Sequence, residues 1–402
     1  MNDHLPFLRA ANKGLSRLPA VSLDPGEIEG FVLRREGMPR IPGDHWREPF
    51  RLLCAELERS AALSPLGRVM ANGQLVGLLR ARCRAERLLA RHPEIHDQPV
   101  FRPIIILGPM RSGSTRLQRL LACDPRMGWT RLYESLFPVP RGRGGRGRIA
   151  AATAVHSTLR ALNPAIQRIH PSGPLRPDEE FGFLSYAFES GQFGVQWNVP
   201  NFVAAEAKRD MIPVARELRL LLHVNGWARR QRPGPLLLKC PAYSDMVEAL
   251  VEVFPGARLI CLSRDPAKVV ASSASLVVEQ RRIHSDRVDP IEVGAEWLAR
   301  TAVRQRRVDA FRKARPGVPA FDLQYDEMTA DWTGVMHRLY RFLKLPLDPQ
   351  ALSAMQRYMG KARAHRGHRY ALKDYGLDDA SVRSAFASSP PPELARSMMA
   401  AE

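Results

Sequence analysis

Four consecutive apolar residues, Ile104-Ile105-Ile106-Leu107, are closed at once by Gly108-Pro109. A run this short, unbroken by polar positions and ended by turn residues, predicts a strand buried on both faces. The segments 235–240, 257–263 and 319–325 repeat the pattern, each bounded by proline or glycine. Between them the apolar positions shift to helical spacing, over 244–254, from near Ala267, and over about 295–315. Strands alternating with helices predict the α/β class: a P-loop-type central parallel sheet flanked by helices, with ligands gathered at the carboxyl ends of the strands.

Upstream, Phe50–Leu57 and Gln74–Ala90 carry helical periodicity, and His92-Pro93 closes that region. Residues 1–45 are rich in proline and glycine and only weakly periodic, so an irregular N-terminal arm is expected there. The organisation is then an arm over 1–45, one α/β domain over 46–385 and a tail over 386–402. Within the domain, 126–234 is too long for a simple crossover and is expected to hold helices of its own. No internal repeat is visible.

No run approaches the roughly 20 apolar residues of a membrane span, and Met1–Ala10 lacks the apolar core and cleavage site of a signal peptide. The five cysteines are odd in number and include no C-x-x-C pair, which predicts reduced thiols and a cytoplasmic location. The eleven histidines form neither H-E-x-x-H nor a Cys/His cluster, so no metal is expected.

The formal charge is +19, carried by 52 arginines and only eight lysines. Arginine suits bidentate contacts to phosphate or sulfate. Its spread through every predicted helix reads mainly as a solvated face, leaving peripheral contact with anionic surfaces open. Arg141–Arg148 is similar to a short RGG tract, but one copy reads more simply as a flexible basic loop, and no nucleic-acid partner is expected.

The chemistry concentrates where the first strand ends. The strand, the glycine-punctuated turn and the helix opened by Ser114-Thr115 make a phosphate-binding loop, in which backbone N–H groups and a helix N-terminus face an anion. Nucleotidases place lysine directly after the second glycine; here that position is Ser114, and the cation is Arg111. Arg111, Ser112, Gly113, Ser114, Thr115 and Arg116 therefore form one candidate anion site. Arg264 ends a later strand, and Ser272 follows eight positions on, about two helical turns away. That pair suits a second phosphate.

Together, Pro109–Thr115 and Arg264-Asp265-Pro266 with Ser272 resemble the sulfotransferases that use PAPS (3′-phosphoadenosine 5′-phosphosulfate). Arg111 makes the chain similar to the branch holding tyrosylprotein and many bacterial carbohydrate or small-molecule enzymes. Leu238-Lys239-Cys240-Pro241, Phe254-Pro-Gly-Ala257 and the tail segment from His365 and His368 to Tyr375-Gly-Leu377 extend the resemblance over about 46–385. Cys240 and Tyr243 stand where the family commonly has serine or aspartate and histidine.

The resemblance implies transfer of a sulfuryl group from PAPS to a hydroxyl or amine, releasing PAP (3′,5′-adenosine bisphosphate). It implies that the first loop grips the 5′-phosphosulfate and that Arg264 and Ser272 hold the 3′-phosphate. Arg111 and Lys239 are the expected electrophilic pair. The implied base is Glu134, with Glu179 or Glu180 as the second choice and His170 as a further one; Asp178 equally suits a helix N-cap. The acceptor is a small molecule, lipid or carbohydrate, in a pocket shaped by 126–234 and the N-terminal helices. Phe181, Phe183, Tyr186, Phe188, Phe193 and Trp197 are candidates for its lining or for the core. The competing readings are a P-loop kinase or NTPase, and a basic nucleic-acid or anionic-surface binder without catalysis.

Overall fold

The computed structural model describes residues 6–98, 102–169, 171–231, 233–362 and 370–387. Five strands, β1 (Pro103–Leu107), β2 (Gly128–Trp129), β3 (Leu236–Lys239), β4 (Arg258–Ser263) and β5 (Ala320–Gln324), form one all-parallel sheet in the order β2-β3-β1-β4-β5. The four strands expected from apolar runs are present. The two-residue edge strand β2 carried too short a signal to be read.

The alternation of side chains along each strand divides the core. Ile105, Leu107, Leu236, Leu238 and Leu259 face one way, against the helix Ile212–Arg229 among others. Ile104, Ile106, Leu237, Ile260 and Leu262 face the other, against Leu117, Leu120 and Leu121 of the helix Ser114–Leu121 and against Trp332–Leu343. Every β1 side chain is buried, which is why its sequence shows no polar alternation.

The region before the sheet differs from expectation. Two helices, Pro6–Leu15 and Pro25–Glu36, stand where an irregular arm was expected, joined by the irregular stretch 16–24. The Asp24 side chain accepts from the Glu27 amide, Pro25 occupies the first turn, and Gly37 closes the helix at a φ of 60°. Those caps compensate for a weak apolar stripe, of which only Ile28 and Val32 are buried. Further on, the helices Arg47–Arg59 and Pro65–Arg91 match the helical spacing of that region.

The 126–234 stretch is largely helical, as its length implied. Phe188, Phe193, Trp197 and Phe202 pack with Trp46 and Phe50 in a shared core that ties this stretch to the N-terminal helices. The tail helix Asp379–Ala387 crosses the expected domain limit at 385. His170, His365 and His368 lie outside the described residues.

Candidate active site

Strand β1 is followed by Gly108, whose φ is 132°, and the chain returns into a helix through Gly113 at 87°. A Cβ at Gly108 would stand 2.6 Å from the Leu262 carbonyl oxygen, and one at Gly113 would stand 2.8 Å from the Tyr325 ring. Glycine is therefore required at both positions by conformation and by space. Arg111 also has a positive φ, 66°, a conformation that residues with a side chain adopt rarely and that clusters at binding loops.

Ser112 Oγ donates to the Pro109 carbonyl at 2.8 Å and is fully buried, so this hydroxyl braces the loop from inside. The amides of Arg116 and Leu117 return to the Gly113 carbonyl at 3.0 and 3.1 Å. Those of Gly113, Ser114 and Thr115 have no acceptor among the described residues. Three adjacent free N–H groups at a helix start form a ready anion cradle.

The neighbouring strand ends bring the cations. Lys239 closes β3, is 1% exposed, donates from Nζ to Thr115 Oγ1 at 3.1 Å and is ion-paired with Glu179. Arg264 follows β4 and donates from Nη1 to the Arg111 carbonyl at 2.6 Å, while its Nε is buried without a partner. Its guanidinium lies 4.1 Å over the Tyr325 ring, and Arg116 lies 5.0 Å from the same ring and bonds to Thr329 at 3.0 Å. Ser272, on the helix Pro266–His284, accepts from Arg111 Nε at 3.1 Å. Asp265 caps that helix by accepting from the Ala267 amide at 3.0 Å.

Burial lowers the affinity of the Arg111 guanidinium for its proton, and the charge of Arg264 adds to the effect. Arginine nevertheless remains a cation. Two guanidinium groups held this close favour an anion between them.

The acidic candidates separate clearly. Glu179 lines a cavity of about 890 Å³ together with Arg111, Gly113, Ser114, Thr115 and Arg264. Glu180, its neighbour, points away into the protein: Oε2 accepts from the Lys239 amide at 3.0 Å and from Tyr243 OH at 2.9 Å. Complete burial pushes its carboxyl up to about 8, against the opposing hydrogen bonds from Tyr243, the Lys239 amide and Thr130. Glu134 is also fully enclosed and does not line the cavity. Its oxygens accept from the Arg131 amide (2.9 Å), Tyr133 OH (2.9 Å) and Arg229 Nη1 (3.2 Å), which close a helix start. Asp178 lines the cavity and accepts from the Glu179 amide at 2.8 Å.

Away from the donors the cavity wall is mainly apolar, built by Trp129, Leu132, Leu159, Ile169, Phe181 and Leu276, with Asn163, Gln192, Gln196 and Gln280 among them. Of the six aromatic residues singled out from 181–197, only Phe181 reaches it; Phe183, Tyr186, Phe188, Phe193 and Trp197 are core. Arg143 and Arg148 of the glycine-rich basic segment turn onto the protein, stacking on Trp227 and Tyr133 and bonding to the Trp227 carbonyl and Asn225. Tyr325 was not foreseen. Its signal was its place at the end of the fifth strand's apolar run, on the expected ligand edge.

Comparison with known proteins places this geometry. Residues 103–349 match the model described as "Sulfotransferase family". Omega-hydroxy-beta-dihydromenaquinone-9 sulfotransferase Stf3 from Mycobacterium bovis is 25% identical over 280 residues, covering 67% of this chain and 70% of Stf3, and its Mycobacterium tuberculosis counterpart matches equally. The fold is shared with the crystal structure of sulfotransferase STF1 from Mycobacterium tuberculosis at a TM-score of 0.78 and 24% identity, covering 90% of this chain and 98% of that one. It is also shared with STF9 from Mycobacterium avium at 0.79 and 24%, covering 92% and 96%. With a matched family model over more than half its length, the chain belongs to the sulfotransferase family and is a sulfotransferase.

Proposed function

We propose that this enzyme takes its sulfuryl group from PAPS and delivers it to a hydroxyl of a lipid-like acceptor. The observation that carries the donor assignment is the convergence of Arg111, Ser272 and Arg264 on the loop that also gathers Thr115 and Lys239. One loop offers three free amides to a phosphosulfate. The partnerless Nε of Arg264 and the Ser272 hydroxyl suit a second phosphate on the same nucleotide. ATP lacks that 3′-phosphate, and the loop lacks the nucleotidase lysine, so the kinase reading gains no support.

The acceptor enters from the apolar side. Its hydroxyl oxygen attacks sulfur as its proton passes to Glu179, the acidic cavity residue already held beside the loop by Lys239. The new O–S bond forms as the S–O bond to the 5′-phosphate breaks, and the electron pair leaves on the phosphate oxygen. Arg111 and Lys239 stabilise that developing charge. Glu134, enclosed by Arg229, Tyr133 and the Arg131 amide, braces the cavity wall in this scheme.

A lipid-like acceptor is supported by the apolar cavity wall and by Stf3, whose name gives it a hydroxylated dihydromenaquinone as acceptor. The five free cysteines and the mycobacterial relatives support a reducing, cytoplasmic setting in a bacterium. No helix among the described residues is long and apolar enough to cross a membrane. The scheme requires no metal, its charge stabilisation coming from Arg111 and Lys239.

The test is a melting experiment with PAP, ATP and an oligonucleotide. A ligand at 100 times its Kd adds about 2.7 kcal/mol of stability, so PAP alone should raise Tm. Stabilisation by ATP but not PAP would sink the donor assignment.

A further inference from the structure

We propose that the mouth of the acceptor cavity is a docking surface for an anionic lipid bilayer. The inference rests on reading the cavity as the acceptor site. Its own evidence is the rim, where Arg160, Arg176 and Lys361 line the opening and are exposed. None of the three has an acidic partner among the described residues. This sets them apart from the many arginines tied to carboxylates, such as Arg47 with Glu29, Arg80 with Glu36 and Arg304 with Asp245. Two acids line the cavity, Asp178 and Glu179, the latter held by Lys239, against seven cations (Arg111, Arg116, Arg119, Arg160, Arg176, Arg264 and Lys361), so the lining stays strongly positive.

An exposed apolar side chain stands beside these cations: Leu175, next to Arg176, is 58% exposed. Exposed apolar groups flanked by unpaired cations match a bilayer surface: the cations meet headgroup phosphates while the apolar side chains enter the acyl boundary. An acidic protein would use the charges but leave Leu175 in water. The same arrangement gives an apolar acceptor a route from the bilayer into an apolar cavity without crossing water.

The experiment is co-sedimentation of the full-length chain with vesicles of phosphatidylcholine, with and without phosphatidylglycerol. Wild type should bind the anionic vesicles, release them at high salt and ignore the neutral ones. R160E/R176E/K361E should weaken binding at least roughly a hundredfold, since each basic residue near an anionic surface contributes roughly a fivefold factor. L175E should weaken it several-fold. Melting curves check that each variant is folded, which surface substitutions permit.

No binding by folded wild type, equal binding to neutral vesicles, or wild-type binding by the triple variant would each overturn the proposal. Release by inorganic phosphate at matched ionic strength would assign the rim to a soluble anion and overturn it as well. Wild-type melting with PAP, run in parallel, reads the donor assignment separately: a protein that binds vesicles but not PAP keeps the docking surface and loses the donor.

Discussion

Arg111 Nε donates to Ser272 Oγ across 3.1 Å, joining two segments 161 positions apart. With Arg264 bonded to the Arg111 carbonyl, this contact brings the two candidate phosphate motifs together, as the proposed donor requires. The relationship carries a direct expectation about ligand discrimination. Arg264→Ala and Ser272→Ala should each reduce the preference for PAP over 5′-AMP, the arginine by roughly 10- to 100-fold, as for loss of a hydrogen bond to a charged group. Isothermal titration with both nucleotides measures it. An unchanged ratio in Arg264→Ala would remove this residue from the 3′-phosphate.

Glu179 and Glu134 differ in what surrounds them, and that difference can be tested by turnover. Glu179→Gln should lower kcat by roughly 100-fold or more, the usual contribution of a general base, while PAP binding stays near wild type. Glu134→Gln should instead lower Tm, because it disturbs a buried carboxylate shared by Arg229, Tyr133 and the Arg131 amide. Steady-state kinetics and melting curves on the two variants separate the roles. A collapse of kcat in Glu134→Gln with unchanged Tm would transfer the base to Glu134.

Lys239 has two partners, so its removal has two consequences. Lys239→Met should cut kcat by roughly 100- to 1000-fold, as for loss of one preorganised charge-stabilising donor. It also leaves Glu179 without its cation, and breaking such a pair typically costs about 3–5 kcal/mol when both groups are buried. Glu179 lines the cavity and keeps some access to water, so the stability loss should fall below that range. Lys239→Met/Glu179→Gln should recover Tm toward wild type without recovering turnover.

Glu180 gives the enzyme a pH signature. Its carboxyl ionises near 4.5 in the unfolded chain and is pushed up to about 8 by burial in the fold. The folded state therefore keeps a proton that the unfolded chain releases, and stability declines as pH rises from about 4.5 through about 8. Glu180→Gln can still accept from the Lys239 amide and Tyr243 and carries no ionisable group. Its Tm should fall less between pH 6 and 9 than that of wild type, as melting curves across roughly that range will show. Parallel curves would place the Glu180 carboxyl in its ordinary range.

Sequence alone determined four of the five strands, because a strand buried on both faces must be apolar at every position, as Ile104–Leu107 is. It also determined the loop, because only glycine satisfies the positive φ and the close approaches at Gly108 and Gly113. Local signals stopped at partners remote in the chain. The irregular reading of residues 1–45 missed the helices Pro6–Leu15 and Pro25–Glu36; for the second, capping at Asp24 and Gly37, and burial against later helices, outweighed weak periodicity. The choice between two glutamates could not be read from spacing, since Glu134 and Glu179 differ only in which elements close over them. Tertiary structure separates them by sealing Glu134 behind Arg229 and Tyr133 and setting Glu179 in the cavity beside Lys239, which is what favours Glu179 in the proposed scheme. Tyr325 became a site residue for the same reason: β5 lies beside β4, so the end of one strand meets the loop begun by another.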